Sequence, residues 1–238
     1  TDQERIKDLE EAFSDSRINA IICARGGYGA LRILNKINYN IIKNNPKIFC
    51  GYSDITALSA AILKNTGLIT YSGPMIQPDF QMGDINDLTV STFFKTITGE
   101  KRIIKPQTTR IYKDGEANGI LWGGNLSTIS SLCGLDFIPD VKFIFFAEDL
   151  NEPVYKIDKS FRQLLNIEKF RNNVAGIILG DFLNCESDED LKLLFYEFAN
   201  ELNIPVYGNY AISHSEDKIT LPVGSNAVLN KGEIFISY

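Results

Sequence analysis

Three kinds of local structure follow one another in residues 48–63, IFCGYSDITALSAAIL. The apolar residues 48–50 are typical of a buried strand, residues 51–53 of a tight turn, and the residues from Asp54 onward of a helix. Strands that lead through short turns into helices are characteristic of parallel α/β domains. We therefore expect this turn at the carboxyl edge of a parallel sheet.

The same alternation continues on both sides of this stretch. The predicted elements are, in order, a helix at 2–15, a strand at 18–24, a glycine-rich turn at 25–29, a helical stretch with Leu31 and Leu34 on one face, and a strand at 68–71. Parallel strands need crossover connections, and the connections here have helical spacing. We therefore predict a doubly wound parallel sheet.

The polar stretch 101–118 lacks long apolar runs, and we place the linker between two domains there. The domains are then residues 1–100, whose last predicted helix is at 87–98, and residues 119–238. The second domain has predicted helices at 125–133, 157–167 and 188–202, and predicted strands at 143–147, 174–179, 205–207, 218–221, 227–229 and 234–236. The sequence thus predicts an α/β protein in two parts.

Composition excludes several classes of protein. With 44% hydrophobic and 23% charged residues among 238, the chain has ordinary globular values, which argue against disorder and coiled coils. The formal charge is −6 and the basic residues are scattered, so we expect no nucleic-acid partner. No apolar run approaches the roughly 18 residues of a membrane span and no signal peptide opens the chain, so we expect a cytoplasmic protein without a membrane partner.

Cysteine and histidine usage argues against a metal site. The four cysteines lie far apart without a CxxC pair, and the chain has one histidine. Three of the cysteines lie in or beside apolar runs, where reduced thiols are typical of a cytosolic protein. We therefore expect no metal, no cofactor and no disulfide.

Ser53 lies where the predicted strand at 48–50 turns into a helix. A serine at such a turn projects its hydroxyl from the carboxyl edge of the sheet, as the nucleophile of α/β hydrolases does. Ile55 replaces the glycine that usually stands two residues after that nucleophile, so the turn has a different shape. A helix N-cap is the simpler interpretation of Ser53 or Asp54, and the motif alone does not decide between the two.

A serine nucleophile needs a base, most often a histidine that is oriented by a carboxylate. His214, the one histidine of the chain, lies in a polar loop between two predicted strands. Glu148 follows the apolar strand at 143–147, which we expect to be central and buried. Asp149 and Glu152 are rival acids, and a surface histidine with a solubilising carboxylate is the alternative.

The glycine-rich turn follows a strand and precedes a helix, so its backbone N–H groups are candidates to bind an anion or a developing oxyanion. The turn lacks the G-x-G-x-x-G spacing of dinucleotide sites, and no Walker lysine follows it. A plain tight turn is the remaining alternative. With Ser53 as the nucleophile, we predict an oxyanion hole built from the N–H groups of Gly27 and Asp54.

Taken together, these motifs resemble the LD-carboxypeptidase family of serine peptidases, over essentially the whole chain. The stretches that carry the resemblance are 24–29 (ARGGYG), 51–58 (GYSDITAL), 72–75 (SGPM), 121–126 (LWGGNL), 148–153 (EDLNEP) and 208–222 (GNYAISHSEDKITLP). The resemblance implies a flavodoxin-like parallel-sheet nucleophile domain and a smaller C-terminal α/β domain that carries Glu148 and His214. It also implies a cleft between the domains and a homodimer.

The resemblance further implies an activity. Its catalytic residues here are Ser53, Glu148 and His214, with Gly27 and Asp54 as the oxyanion donors, and the bond hydrolysed is an L,D peptide bond. A typical member releases the terminal D-alanine from a cytosolic muropeptide tetrapeptide during cell-wall recycling. A sister branch cleaves peptide-nucleotide antibiotics of the microcin C type and confers immunity. The short connection between the two halves and the Gly-Pro-Met motif are more similar to the recycling branch.

Four residues are candidates for substrate binding. Arg25, beside the glycine-rich turn, is suited to pair with the terminal carboxylate of a peptide, and a structural salt bridge is its alternative. Trp122 is a candidate to line the cleft, and packing at the domain interface is its alternative. We also include Gly26 and Asn125, which belong to the matching motifs.

Two other functions remain open on the sequence alone. In a small-molecule binding protein with the same cleft, Ser53 would cap a helix and His214 would face solvent. Amidotransferase-like chemistry would use Cys23 or Cys50, but both are predicted within strands, where a thiol is buried and unreactive.

The chain starts at Thr1 without a methionine. Members of the family that it resembles begin with a strand and a helix ahead of the matching segment. We therefore expect that at least one βα unit, roughly 30 residues or more, is missing. The nucleophile sheet would then lack a strand and expose apolar surface.

Overall fold

The computed structural model describes residues 1–80, 87–100, 103–106 and 108–237. Its helices are α1 (Asp2–Ser14), α2 (Tyr39–Asn44), α3 (Ile55–Thr66), α4 (Ile76–Asp79), α5 (Asp87–Ile97), α6 (Leu126–Ser131), α7 (Val154–Leu165), α8 (Glu168–Asn173) and α9 (Asp188–Leu202). Its strands are β1 (Ala20–Ile22), β2 (Ile48–Cys50), β3 (Thr70–Ser72), β4 (Ile103–Ile104), β5 (Arg110–Lys113), β6 (Glu116–Asn125), β7 (Phe143–Leu150), β8 (Val174–Leu183), β9 (Val206–Gly208), β10 (Leu221–Val223), β11 (Asn226–Asn230) and β12 (Glu233–Ser237).

Strands β1, β2, β3 and β10 form a small mixed sheet in that order. The first three are parallel, as the alternation of strands and helices predicts, and β10 pairs antiparallel with β3. Helix α3 connects β2 to β3 and is buried along residues 55–62. This burial arises because α3 packs against β3 and also against β6 and α6 of the second layer.

The other strands form an eight-stranded mixed sheet in the order β4-β12-β11-β6-β7-β8-β9-β5. Its centre, from β6 to β9, is parallel, and the strands on either side are antiparallel to their neighbours. Residues 143–147 of β7 are fully buried. A central strand covered on both faces is apolar throughout, which explains the continuous apolar run in the sequence. The two sheets confirm the predicted α/β fold.

The predicted helical stretch after the glycine-rich turn is wrong in detail. Residues 30–36 form two 3-10 turns, and Leu31 is 43% exposed whereas Leu34 is buried. The Asn38 side chain accepts a hydrogen bond from the Asn40 N–H and so starts a new helix, α2. A side chain that caps a helix at this position separates α2 from the turns before it.

The polar stretch 101–118, which we interpret as the linker, contains β4, β5 and the first residues of β6. Residues 101, 102 and 107 of this stretch lie outside the described residues. Strands β4 and β5 are the two edges of the eight-stranded sheet. Edge strands carry polar residues because one side of the strand faces solvent, so they lack the apolar runs of central strands.

Strand β10 brings the C-terminal half of the chain back to the first sheet. Residues 221–223 pair with residues 70–72 of β3. Gly73 permits this approach, because a Cβ atom on it would lie 2.7 Å from Thr220 Oγ1. The loop that carries His214 therefore leads directly into the sheet that carries the serine turn.

Within the described ranges, no helix is long and apolar enough to cross a membrane. The same residues contain no group of three or more His, Cys, Asp or Glu placed to hold a metal ion. All four cysteines are free thiols in the structure.

Candidate active site

Ser53 lies in the sharp turn between β2 and α3. Its φ of 61° is in the left-handed region, which residues other than glycine seldom adopt and which is typical of an exposed nucleophile turn. Ile55 stands where the glycine of the usual nucleophile turn would be. It packs on Gly51, where a Cβ atom would lie only 2.9 Å from Ile55 Cγ2. The Asp54 side chain makes no cap hydrogen bond to α3, so helix capping does not account for its carboxylate.

The glycine-rich turn packs directly on Ser53. A Cβ atom on Gly26 would lie 2.9 Å from both Ser53 Cβ and Ser53 Oγ, so only glycine allows this approach. The Asp54 carboxylate accepts a hydrogen bond of 2.9 Å from the Ala30 N–H and ties the two turns together. Gly27 has a φ of 144°, and no atom lies within 4 Å of the place where its Cβ would be.

Two backbone N–H groups are available beside the serine. In the part of the chain that the structure describes, neither the Gly27 N–H nor the Asp54 N–H donates a hydrogen bond to another protein group. Backbone N–H groups next to a nucleophile, aimed at the position where charge develops, are the usual components of an oxyanion hole. The arrangement is compatible with the oxyanion hole that the sequence predicts.

Glu148 and His214 form a hydrogen bond. The distance between His214 Nδ1 and Glu148 Oε2 is 2.7 Å, and the glutamate side chain is 4% exposed. Burial raises the pKa of Glu148, and the hydrogen bond with His214 opposes this shift. With Nδ1–H as the donor, the neutral imidazole has Nε2 free as an acceptor, which is the form that a general base needs. The rival acid Glu152 forms an ion pair with Lys156 instead, at 3.1 Å.

A β-bulge in β8 lies opposite Glu148 of β7. The register with β8 shifts between Ala147 and Asp149, so two residues of β8 lie opposite Glu148. On the other side, Glu148 pairs with Asn125 of β6. Strand β7 continues to Leu150, beyond the predicted end at Ala147, so Glu148 is held by the sheet itself.

Asp149, the other rival acid, contacts neighbours of the site rather than the histidine. Its carboxylate accepts hydrogen bonds from Asn125 Nδ2 at 2.9 Å and from Ser127 N–H and Oγ at 2.9 and 2.6 Å. The Asn125 Oδ1 atom accepts the Thr128 N–H at the start of α6. These contacts of Asn125 are with the protein, so its role in substrate binding stays a prediction.

An aromatic contact holds His214 against the serine turn. Tyr52 precedes Ser53, and the rings of Tyr52 and His214 meet edge to face with their centroids 4.9 Å apart. The loop that carries the histidine, between β9 and β10, is closed by a hydrogen bond of 2.7 Å from the Ile219 N–H to the Ala211 carbonyl. The structure thus brings the carboxylate–histidine pair, from the C-terminal half of the chain, to the serine turn.

Arg25 is exposed beside the glycine-rich turn. A cavity of about 490 Å³ opens there, and its lining includes Arg25, Gly26, Gly27 and Asp54 together with apolar side chains of β1 and β2. No carboxylate forms an ion pair with Arg25 within the described ranges. The guanidinium is therefore available to an anionic ligand, and the alternative of a structural salt bridge finds no partner among the described residues.

Trp122 does not line the cleft, so its predicted contact with substrate is wrong. Its side chain is 2% exposed. The indole packs against the rings of Phe143, Phe145 and Phe170, with centroids 5.2, 5.8 and 6.4 Å away. A large aromatic side chain gains more free energy in such a cluster, between the sheet and α8, than at an exposed position.

The two cysteines near the serine turn are unsuited to nucleophilic chemistry. Burial raises the pKa of Cys23 to about 12 and raises the pKa of Cys50 well above its ordinary value. A thiol with a raised pKa has very little thiolate at neutral pH, and the thiolate is the nucleophile.

A buried ion pair beside the site was not predicted from the sequence. Lys218 contacts Asp79, and the ammonium lies over the Tyr52 ring. The signal in the sequence is a lysine at the head of the apolar segment 218–223, KITLPV, where a solvated charge is unexpected.

Comparison with known proteins agrees with the resemblance. Residues 1–73 match the model of the LD-carboxypeptidase N-terminal domain, and residues 118–229 match that of the LD-carboxypeptidase C-terminal domain. A probable murein peptide carboxypeptidase of Bacillus subtilis (strain 168) is 36% identical over 245 residues, which cover 98% of this chain and 75% of the relative.

Solved structures give the same result. The muramoyltetrapeptide carboxypeptidase from Oxalobacter formigenes has a TM-score of 0.87 at 32% identity, and the match covers 99% of this chain and 84% of that one. An MccF-like protein from Bacillus anthracis str. Ames has a TM-score of 0.90 at 30% identity, with 99% and 81% covered. The chain therefore belongs to the LD-carboxypeptidase family of serine peptidases and is a hydrolase.

Proposed function

We propose that this protein is a serine carboxypeptidase that hydrolyses an L,D peptide bond and releases the terminal D-alanine from a murein tetrapeptide. The observation that carries the proposal is the hydrogen bond of 2.7 Å between Glu148 and His214, next to the turn that carries Ser53. The relatives named as murein peptide and muramoyltetrapeptide carboxypeptidases support this class of substrate.

Acylation of the serine is the first half of the proposed reaction. His214 Nε2 accepts the proton of the Ser53 hydroxyl, and Ser53 Oγ attacks the carbonyl carbon that precedes the D-alanine. The N–H groups of Gly27 and Asp54 donate hydrogen bonds to the oxyanion that forms. The C–N bond then breaks, and His214 passes its proton to the departing amine. The shortened peptide is left as an ester on Ser53.

Hydrolysis of that ester is the second half. His214 accepts a proton from water, the resulting hydroxide attacks the ester carbonyl, and His214 returns the proton to Ser53 Oγ as the acid leaves. Glu148 holds the imidazole by its Nδ1–H throughout and stabilises the imidazolium that forms in each half-reaction. Because this carboxylate is buried, its attraction to the imidazolium is stronger than it would be in water.

Arg25 is the proposed partner of the substrate's terminal carboxylate. A carboxypeptidase must recognise that charge, and a guanidinium binds a carboxylate through two parallel hydrogen bonds. The exposed position of Arg25 beside Gly26 and Gly27 supports this role, because it is next to the proposed oxyanion donors.

Release of D-alanine from a muramoyl tetrapeptide tests the proposal. We expect the wild type to release D-alanine, and Ser53→Ala to lower the rate by about 10³-fold or more, because the nucleophile is lost. His214→Ala is expected to abolish turnover while the protein stays folded. Equal release by the wild type and by Ser53→Ala would exclude the serine mechanism and favour a protein that only binds a small molecule.

A peptide-nucleotide of the microcin C type is the second candidate substrate. The TM-score of 0.90 with an MccF-like protein favours testing it. The values of kcat/KM for a peptidyl nucleotide and for the tetrapeptide, measured with the same preparation, decide between the two.

We also propose that the enzyme is a homodimer and that it needs no cofactor. Sedimentation equilibrium tests the oligomeric state. An assay after dialysis against a chelator tests whether activity depends on a metal.

A further inference from the structure

An ion pair lies buried beside the site, outside the groups assigned above. The Lys218 ammonium contacts the Asp79 carboxylate, and both side chains are 3% exposed. Moving two charges out of water costs free energy that their mutual attraction offsets only in favourable geometry, and apolar replacements are often equally stable. Stability alone therefore does not explain why charged side chains occupy this position.

The backbone of Lys218 is held in place without the ion pair. Its N–H donates to Thr89 Oγ1 at 3.0 Å, and its carbonyl accepts from Thr92 Oγ1 at 3.2 Å. Thr96 Oγ1 makes a similar bond of 3.4 Å to the Thr220 carbonyl. One face of α5 thus fixes the extended segment after the histidine through its main chain. The ammonium is not required for that task.

The ammonium contacts Tyr52 as well as its acidic partner. Lys218 Nζ lies 4.7 Å from the centroid of the Tyr52 ring and 3.5 Å from its hydroxyl oxygen. A cation over an aromatic ring is attracted by the electrons of the ring face, and more strongly where both are removed from water. Burial raises the pKa of Tyr52, so the ring remains a neutral phenol beside the cation.

Tyr52 connects this cation to the proposed base. Its ring meets the His214 ring edge to face at 4.9 Å. The hydrogen bond that His214 Nδ1–H donates to Glu148 constrains one atom of the imidazole, and a single hydrogen bond leaves the ring free to tilt. A catalytic side chain needs packing as well as a hydrogen bond to hold a productive orientation. The Tyr52 ring supplies that packing.

We propose that Lys218 is a positioning residue for the reaction. Its ammonium, held by Asp79, fixes the Tyr52 ring. That ring in turn holds the His214 imidazole toward Ser53. The inference rests on the proposed function, because the orientation of the imidazole affects the rate only where it acts as the base.

The double variant Lys218→Met/Asp79→Asn tests the inference, since it removes both charges at nearly constant shape and leaves no buried charge alone. We expect its thermal unfolding midpoint to stay close to that of the wild type. We expect kcat for D-alanine release to fall about 10- to 100-fold with KM nearly unchanged, because a misoriented base slows the chemical step. Lys192→Met on α9 is the matched control. Among the described residues, this lysine pairs with exposed acids near the start of that helix, so kcat should not change.

NMR of the histidine gives a second readout that needs no substrate. The chain has one histidine, so the ring protons of His214 are identified without further assignment. From the ring contact, we expect Tyr52 to displace these signals in the wild type, and in the double variant we expect them to move toward the values of an unstructured histidine. A folded double variant with unchanged histidine signals and unchanged kcat would overturn the inference. A wild type that releases no D-alanine would overturn the proposed function, and the NMR comparison would still decide the positioning role.

Lys218→Arg keeps a cation at the ring and provides a test if the double variant does not fold. We expect its kcat and its histidine signals to stay close to those of the wild type. A folded Lys218→Arg variant whose kcat falls about 10-fold or more would show that a cation over the Tyr52 ring does not suffice to position the histidine, which contradicts the inference.

Discussion

At the scale of single residues, the lack of a side chain at Gly26 sets the distance between the glycine-rich turn and the proposed nucleophile Ser53. A Cβ atom there would lie 2.9 Å from Ser53 Oγ, closer than side-chain atoms pack. We expect Gly26→Ala to lower kcat/KM by about 100-fold, because the serine or the turn must shift. Circular dichroism should show little change in the thermal midpoint. Gly134→Ala is the control, because a side chain at Gly134 would enter open space, and it should leave kcat/KM intact.

The charge of Glu148 gives a second prediction at this scale. Glu148→Gln keeps the shape of the side chain but removes the charge that, in the proposed mechanism, orients the histidine and stabilises its protonated form. We expect kcat to fall on the order of 10⁴-fold. Steady-state release of D-alanine measures the loss, and a fall of less than tenfold would contradict the role assigned to this carboxylate.

The same substitution has an expected effect on stability that depends on pH. Burial raises the pKa of Glu148 above its ordinary value of 4.5, so in the acid range the folded state binds more protons than the unfolded state. The contribution of this group to the free energy of unfolding is therefore full below pH 4.5 and is lost as the pH rises through the raised pKa. Glutamine carries no such dependence. Urea unfolding at several pH values should show Glu148→Gln gaining stability relative to the wild type as the pH rises, and the opposite trend would contradict the raised pKa.

At the scale of secondary-structure elements, the threonine face of α5 supports the segment that follows the histidine. Thr92→Val is isosteric and removes the hydrogen bond from Thr92 Oγ1 to the Lys218 carbonyl. We expect a loss of about 1 to 2 kcal/mol in the free energy of unfolding, because a buried carbonyl loses its partner. Thr98→Val is the control, since Thr98 is exposed and bonds only within its own helix end. Equal losses in the two variants would show that the bond to the segment contributes nothing.

Elements with a strong apolar pattern were predictable from the sequence. Helix α1, the unit from β2 to α3, and β7 lie where their periodicity or continuous apolar run places them, because each packs most of one face or both faces into the core. Strands β4 and β5 were not recognised, since edge strands do not need apolar residues. The 3-10 turns at 30–36 depend on a cap at Asn38 that competes with a continuous helix.

The site was predictable to a similar extent and for related reasons. Ser53, Glu148 and His214 stand out in the sequence. The serine and the glutamate follow predicted strands, and the histidine lies in a predicted loop. Lys218 did not stand out, because its acidic partner is 139 residues away and no local pattern reveals that pairing. Trp122 was misassigned for the converse reason, since a position beside two glycines does not show which face of the strand is buried.

At the scale of the whole molecule, the two sheets share α3 and are joined by β10. Because β10 comes from the C-terminal half but completes the first sheet, we expect the two sheets to unfold together. The fluorescence of Trp122 reports the eight-stranded sheet, and the NMR signals of His214 report the site. Urea titrations followed by both probes should coincide, whereas two separate midpoints would show that the sheets unfold independently. The division into residues 1–100 and 119–238 stays a prediction that this measurement also tests.

The pairing of Leu221 with Ser72 also determines when the protein becomes active during its synthesis. The serine turn is made about 150 residues before the strand that completes its sheet and the histidine that precedes this strand. At roughly 5 to 20 residues per second, the delay is about 7 to 30 s. Throughout that interval the nascent chain carries the proposed nucleophile without its base. A hydrolase arranged in this order lacks its proposed base until residue 214 has been made and the segment after it has paired with the first sheet.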